Sequence, residues 1–474
     1  MNRWKTGNSM KVTFTSKSGI LLQAALALVL FSSAAFSQDT NYWTYQYGSR
    51  STLLGGAVVG SVLDISGIYY NPGGLALIDD PEVFLAARTF QYPNYTLKRQ
   101  GLADLKLNSS RIGPAPSLYA GMMNFKSLKN HRLTYAFLTR YESKLKLTTT
   151  IVDKYANDPN TGNENYVVFD YRLDENLTEP WFGVTWSYKV QEKLGIGIST
   201  FATFRDHRVN FATLGEVVSP DDKILVILSS RDFKYSNYRL LWKLGFTFDF
   251  IGLSYGLTVT TPSIEVYSSG SAGMNFTYVG GDIDNNGMTD TLIAATYQDK
   301  LDSDYPTPLS IGIGTTYKID HTKIYLSAEW FNKVNKFDVL KTNDFYSQTS
   351  GQLVPFTITH EAKAVLNFGV GFEHFFSKNF SYYGSFTTDY SSKNNDSKTN
   401  LSITSWDIYH IMTGANLRIK RAQLTLGLGY SFGKDEFKTT NIFNEIGLEN
   451  ITPGIFENSQ FYYSNFKLLF GFSF

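Results

Sequence analysis

The chain has no cysteine, which excludes disulfide frameworks, thiolate zinc sites, cysteine nucleophiles and cysteine-linked lipid anchors. Charge is also scarce: Asp, Glu, Lys and Arg make up 18% of the residues, against about 25% in ordinary soluble domains. Neither sign dominates, with 43 basic and 42 acidic side chains, so no basic field points to a nucleic-acid partner. After the first forty residues no apolar run is long enough for a membrane helix. What the chain does have is aromatic residues, 31 Tyr and 36 Phe among 474.

The first segment reads as an export signal. Arg3, Lys5, Lys11 and Lys17 precede the apolar run from Ile20 to Phe31, and small residues follow up to Ala35-Phe36-Ser37. A charged start, a short apolar stretch and a small-x-small site predict cleavage after Ser37, leaving residues 1–37 outside the mature fold. Removing those four basic groups and no acidic one leaves a mature chain with an acidic surplus of three.

The rest is built from short alternating segments. Phe466, Leu468, Phe470, Phe472 and Phe474 share one face, with Asn465, Lys467, Leu469, Gly471 and Ser473 on the other. Leu424, Leu426, Leu428, Tyr430 and Phe432 alternate likewise with Gln423, Thr425, Gly427, Gly429 and Ser431. Period-2 alternation is a strand with one apolar face. The polar faces are mostly Gly, Ser and Thr instead of the charged, wet faces of a soluble sandwich. Strands of about ten residues, apolar outside and polar inside, are the pattern of an outer-membrane barrel, which also satisfies every backbone group in lipid. Trp181, Trp186, Trp242, Trp330 and Trp406 fall where girdle residues are expected.

Strands are predicted near 82–99, 113–125, 131–148, 179–190, 193–211, 238–250, 251–263, 308–319, 322–333, 362–376, 379–391, 404–419, 421–433 and 464–474. Their connectors alternate strictly between short and long, as periplasmic turns and outside loops do. The expected fold is all-β: a 14-stranded antiparallel transmembrane barrel over 82–474, with an N-terminal hatch over 38–81 in its lumen. About forty residues are too few to hold a core of their own, so that segment needs a host.

The hatch segment carries Asp64-x-Ser66-x-x-Tyr69-Tyr70-Asn71-Pro72-Gly73-Gly74-Leu75. It resembles the N-terminal motif of the outer-membrane long-chain fatty-acid transporter family (FadL/TodX type), where Ala is commoner at the position of Gly73. The resemblance implies a passive transporter of long-chain fatty acids or other hydrophobic molecules, cofactor-free and not an enzyme, in the outer membrane of a Gram-negative bacterium. It implies a pocket at the hatch and a sideways exit into the bilayer through a kinked strand. It gives Asp64, Ser66, Tyr69, Tyr70, Asn71, Pro72, Gly73 and Gly74 a role in hatch positioning or gating. Asn71-Pro72 taken alone is also an ordinary turn. The terminal aromatic strand ending in Phe474 resembles the signal read by the barrel assembly machinery.

The chain carries other motifs beside these. Asp282, Asp284, Asn286, Met288 and Asp290 stand at calcium-loop positions 1, 3, 5, 7 and 9 with Gly287 at 6, a spacing that aims oxygens inward. Ile293 replaces the usual glutamate, and the same residues also favour a solvated turn. Gly252-Leu253-Ser254-Tyr255-Gly256 matches a hydrolase elbow but falls inside a predicted strand. His360-Glu361 begins a zinc motif that Ala364 breaks. Charges at Lys189, Arg205, Lys243, Asp249, Glu329, Glu373, Arg418 and Lys467 are expected on the lumen side, paired with one another or with the hatch. A secretion shuttle of the same fold and a rim hydrolase remain the alternative readings.

Overall fold

The computed structural model describes residues 40–78, 84–99, 105–110, 112–114, 118–123, 130–155, 165–218, 224–281, 288–394, 401, 406–420, 422–437 and 459–473. Residues 1–37, where an export signal is predicted, loop residues 282–287 and Phe474 lie outside them. Strands are numbered in chain order: β1 Phe84–Arg99, β2 Leu105–Ser110, β3 Gly113–Pro114, β4 Leu118–Met123, β5 His131–Tyr155, β6 Asn165–Gln191, β7 Leu194–Val218, β8 Ile224–Phe250, β9 Leu253–Thr260, β10 Ile264–Gly281 and β11 Asp290–Leu301. Then come β12 Ser310–Ile319, β13 Thr322–Phe331, β14 Val334–Leu340, β15 Phe345–Tyr346, β16 Leu353–Val354, β17 Ile358–Ala362, β18 Val365–Ser377, β19 Phe380–Asp389, β20 Asp407–Ile419, β21 Ala422–Phe437 and β22 Ser459–Ser473.

Antiparallel pairing passes from β1 to the broken run β2–β3–β4, then through β5, β6, β7, β8, β9, β12, β13, β18, β19, β20, β21 and β22. β22 pairs in turn with β1 along its whole length, from Leu85 opposite Ser473 to Arg99 opposite Ser459. One end carries the tight turns Glu192-Lys193, Ile251-Gly252, Asp320-His321 and Lys378-Asn379. Asp320 and Lys420 adopt φ of 49° and 54° there, the left-handed backbone that suits two-residue hairpins to strand twist.

The outward face is apolar where the sequence predicts it: Phe466, Phe470, Phe472, Leu424, Leu426, Leu428, Tyr430, Ile311 and Ile313 are exposed. Trp186 and Trp330 also point outward, as girdle residues do. Trp181 and Trp406 are buried inside, which corrects the girdle expectation for those two.

Strands β5 to β8 reach 25 to 27 residues and continue well past the predicted ends. Their alternation keeps its register but swaps its chemistry. On β6 the outward Phe182, Val184 and Trp186 give way, towards the long-loop end, to outward Arg172, Asp174 and Asn176, while Tyr171, Leu173 and Leu177 turn inward and are buried. The apolar face therefore crosses from the outside to the inside of the same strand. Hairpin β10–β11 widens this upper wall, pairing with β8 from Ile264 opposite Leu240 up to Val279 opposite Val226. Its inner face packs on Val339, Leu340, Val354, Phe356 and Ile358 of the insertion between β13 and β18, forming a first core.

A second core lies lower, where residues 40–78 sit inside the ring. That segment has two one-turn helices, α1 Arg50–Leu53 and α2 Gly67–Tyr70, and a 3-10 turn at Gly74–Leu77. Among the described residues no helix is long and apolar enough to cross a membrane.

Candidate functional site

The N-terminal segment is tied together by one carboxylate. Asp64 accepts from the backbone N–H of Ser66 (3.0 Å), from the Ser51 hydroxyl (3.2 Å) and from the Ser66 hydroxyl. It thereby joins the start of α1 to the start of α2. Gly48 has φ of 87°, and a Cβ there would lie 2.7 Å from the same carboxylate, so only glycine lets the chain close over it.

Asn71 fastens the segment to the wall. Its Nδ2 donates to Val59 O (2.8 Å), Phe246 O (3.0 Å) and Thr247 Oγ1 (2.9 Å), and its Oδ1 accepts from Gly73 N (3.0 Å). The carbonyls of Pro72 and Ile68 accept from the inward hydroxyls of Ser187 and Ser199 at 2.7 and 2.8 Å. A Cβ on Gly73 would stand 2.6 Å from Gly245 O and 2.8 Å from Gly195 O. Backbone meets backbone here, which accounts for glycine where the resembling family commonly carries alanine. Tyr69 and Tyr70 pack edge to face, and the Tyr70 hydroxyl accepts from Tyr47 N at 2.8 Å. Gly74 closes on Val62. All eight motif residues thus form one unit at the middle of the ring.

Above this unit is a cavity of about 770 Å³, its open part included, walled by Tyr42, Tyr69, Tyr141, Trp181, Phe201, Tyr305 and Phe331. A register shift between Thr139 and Tyr141 marks a bulge in β5, and it leaves both Arg140 and Tyr141 buried on the inner side. The Arg140 guanidinium lies 4.7 Å over the Tyr141 ring and 5.7 Å over Tyr69. Its Nη2 donates to Tyr42 O at 2.6 Å, while its buried Nη1 has no hydrogen-bond partner among the described residues. Lys243, beside it on β8, lies 3.9 Å from Glu329, and Glu329 also accepts from Trp43 Nε1 at 2.9 Å.

The cavity roof is Tyr305. Its ring lies 3.7 Å from the Arg205 guanidinium and stacks on His360 at 5.5 Å, and its carbonyl accepts from Arg239 at 2.7 Å. Both arginines converge on Glu179, at 2.9 and 3.0 Å, whose Oε1 also accepts from Trp181 Nε1 at 2.8 Å.

Two smaller cavities continue from the first. One of about 370 Å³ shares Tyr69, Lys243 and Glu329 with it and reaches Tyr45. The other, about 560 Å³, shares Tyr45 and is bounded by Gln91, Pro93, Gly113 and Glu142. It lies beside β1, β3 and β5. β4 pairs with β5 up to Leu118 opposite Leu138. Among the described residues β2 and β3 pair only with β1. A Cβ on Gly113 would meet nothing within 4 Å.

The expected lumen charges divide. Arg205, Lys243, Glu329, Glu373 and Lys467 face inward with partners: Glu373 accepts from Tyr325 and Tyr383, and Lys467 donates to Thr44 O. Lys189, Asp249 and Arg418 stand instead at the turn end, where the ring opens. Ser254 lies within β9 and donates to Asp249 at 2.6 Å, so the elbow-like sequence is not on the strand-to-helix turn that a nucleophile elbow needs. Asp282, Asp284 and Asn286 fall outside the described residues. Of the calcium pattern Met288 and Asp290 are placed, with Asp290 opening β11 opposite Gly281. Among the described residues no cluster of three or more His, Asp or Glu could hold a metal.

Sequence reasoning missed Arg140, Glu179 and Arg239. Each sits in or beyond a stretch where both faces of the strand are polar. Three acidic positions within six residues of β6 (Asp174, Glu175 and Glu179) were the available signal.

No family model and no curated sequence matches this chain. Solved structures do. The Pseudomonas putida toluene transporter TodX aligns with TM-score 0.58 at 12% identity, over 92% of this chain and 99% of its own. A Pseudomonas aeruginosa FadL homologue gives 0.54 at 13% identity, over 91% and 98%. The Ralstonia pickettii toluene transporter TbuX gives 0.52 at 13%, over 90% and 98%. At these identities the likeness establishes a shared fold, that of the outer-membrane transporters the N-terminal motif resembles.

Proposed function

We propose that this chain is a passive, cofactor-free outer-membrane transporter of hydrophobic small molecules, with residues 38–81 as the hatch of the barrel. The observation that carries the reading is the aromatic-walled cavity between hatch and roof, inside a wall whose outer face is apolar. Each CH₂ moved from water into such a cavity gains about 0.8 kcal/mol, so an apolar chain is captured without chemistry. Arg140, buried with a free Nη1, suits a carboxylate head, which makes long-chain fatty acids the preferred cargo. From the cavity the cargo passes Tyr69 and Tyr45 and leaves sideways into the bilayer beside Pro93 and Gly113. Asn71, Pro72, Gly73 and Gly74 hold the hatch against β7 and β8 during that passage.

Mass spectrometry of small molecules extracted from protein purified in mild detergent tests this. Fatty acids or other apolar compounds should be enriched over an empty-barrel control. Arg140→Met should lower carboxylate retention about tenfold or more, since a charge-assisted hydrogen bond contributes about 1.5–3 kcal/mol, and leave neutral aromatics unaffected. Copurifying secreted proteins with no small molecule would move the assignment to a secretion shuttle, and detergent-phase esterase activity to a hydrolase.

Two further assignments go with this reading. The C-terminal strand, with Phe474 at its end, is the contact for the barrel assembly machinery. Calcium in the 282–290 loop is expected to slow protease cutting between β10 and β11, and unchanged cleavage with and without chelator removes that site.

A further inference from the structure

The tight-turn end of the barrel is strongly basic. Residues 130–132, 189–193, 249–253, 318–323, 377–379 and 418–420 hold eight Lys or Arg side chains and three carboxylates. That is a surplus of five in a chain whose overall surplus is one. Some of these cations are engaged: Arg132 donates to Leu75 O, and Lys189 lies 3.7 Å from Glu192. Lys193, Lys318, Lys378 and Lys420 are exposed at four different turns, and among the described residues none has an ion pair. Each stands near an exposed outward apolar residue: Val190, Ile319, Phe376 and Ile419 respectively.

A cation just beyond the edge of an apolar band is placed to lay its stem on the hydrocarbon boundary and its ammonium among headgroups. At the opposite end two outward cations are matched by acids on the same strand, whereas Lys146, Arg208 and Lys234 are exposed and have no ion pair among the described residues. Lys144 lies 3.7 Å from Glu142, and Arg172 lies 2.8 Å from Asp170. What sets the turn end apart is its net surplus of five cations, with four exposed lysines spread around the rim.

We infer that this rim docks the anionic phospholipid headgroups of the leaflet on the turn side of the membrane, holding an annulus of phosphatidylglycerol-type lipid. The inference rests on the membrane-spanning reading above. Clustered Lys and Arg at a membrane surface each strengthen the attraction to anionic lipid, several together by far more than tenfold at low salt.

The test uses the full-length protein inserted into nanodiscs of phosphatidylethanolamine and phosphatidylglycerol, followed by native mass spectrometry of the lipid retained on release. Phosphatidylglycerol should be retained over phosphatidylethanolamine at least tenfold. The quadruple variant Lys193→Gln, Lys318→Gln, Lys378→Gln and Lys420→Gln should bring the ratio near one, whereas Lys144→Gln at the far end should leave it unchanged. Equal retention of the two lipids by the parent, or a ratio untouched by the quadruple variant, overturns the inference while leaving the transporter reading intact. Failure of the parent to insert into nanodiscs at all overturns both. Because the four lysines are exposed turn residues, the heat-modified gel shift of the folded barrel should be the same in parent and variant.

Discussion

Gly256→Ala should unseat the N-terminal segment without unzipping the strands around it. A Cβ at this position on β9 would lie 1.8 Å from Val59 O and 2.8 Å from Asn71 Nδ2. The contact is backbone, so no rotamer change relieves it and the segment itself must move. Overpacking a tight interior typically costs about 1–3 kcal/mol. Here the shift also breaks the Asn71–Val59 bond and draws Asn71 from Phe246 and Thr247. Each buried group left unsatisfied adds about 1–3 kcal/mol. Residues 40–78 should become sensitive to protease, and planar-bilayer conductance should rise as the lumen opens. The gel shift of the folded barrel should persist, because Gly256 keeps its ladder partners Thr247 and Gly314. Asn71→Leu should reproduce the leak from the other side of the same contact. A tight, protease-resistant segment in both variants would mean that the glycine faces are not what seats it.

The same contacts explain how far the sequence could be read. Strands such as 322–333 and 421–433 are legible because one face is apolar throughout, and they appear as Thr322–Phe331 and Ala422–Phe437. The upper halves of β6 and β8 were not legible as strands, and β5 and β7 run about seven residues past their predicted ends. In β6 the residues from Arg172 to Glu179 place Asp174 and Asn176 outside and Glu175 and Glu179 inside, so the apolar alternation lapses just where it is about to resume in the opposite phase. A solvent boundary on one side and a cap core on the other produce that reversal, and neither is a property of local sequence. Hairpin β10–β11 was hidden for a related reason: its glycines and serines face neighbours that come from β8.

The candidate site divides in the same manner. The motif from Asp64 to Gly74 was readable because its glycines, asparagine and aromatics are contiguous in the chain. The cavity was not, because Arg140, Glu179, Arg239 and Tyr305 come from β5, β6, β8 and a connector. Arg140 continues the inward alternation of Thr134, Ala136 and Leu138, and the bulge in β5 turns Tyr141 inward beside it; a bulge adds a residue without marking the sequence.

Glu179→Ala should have the largest effect on the roof of that cavity. The carboxylate is buried between two buried guanidiniums, Arg205 and Arg239. Removing one member of a buried ionic cluster costs about 3–5 kcal/mol, because the remaining charges stay desolvated without compensation. Both arginines also hold Tyr305, one beneath its ring and one at its carbonyl, so the loss is transmitted to residues 303–308 over the cavity mouth. Amide hydrogen exchange of that stretch should accelerate at least tenfold, and retained cargo should dissociate faster. The decisive comparison is a triple variant, Glu179→Met with Arg205→Met and Arg239→Met. Replacing a whole buried ion cluster by apolar side chains of similar volume is often neutral or stabilising, so the triple variant should recover the chemical stability that Glu179→Ala loses. It should not recover slow exchange at 303–308, because Tyr305 has lost the cation under its ring and the donor at its carbonyl. If the triple variant restores both, the roof is held by packing alone and the charge cluster serves only to satisfy itself. If it restores stability alone, the cluster is the fastening of the gate over the cavity.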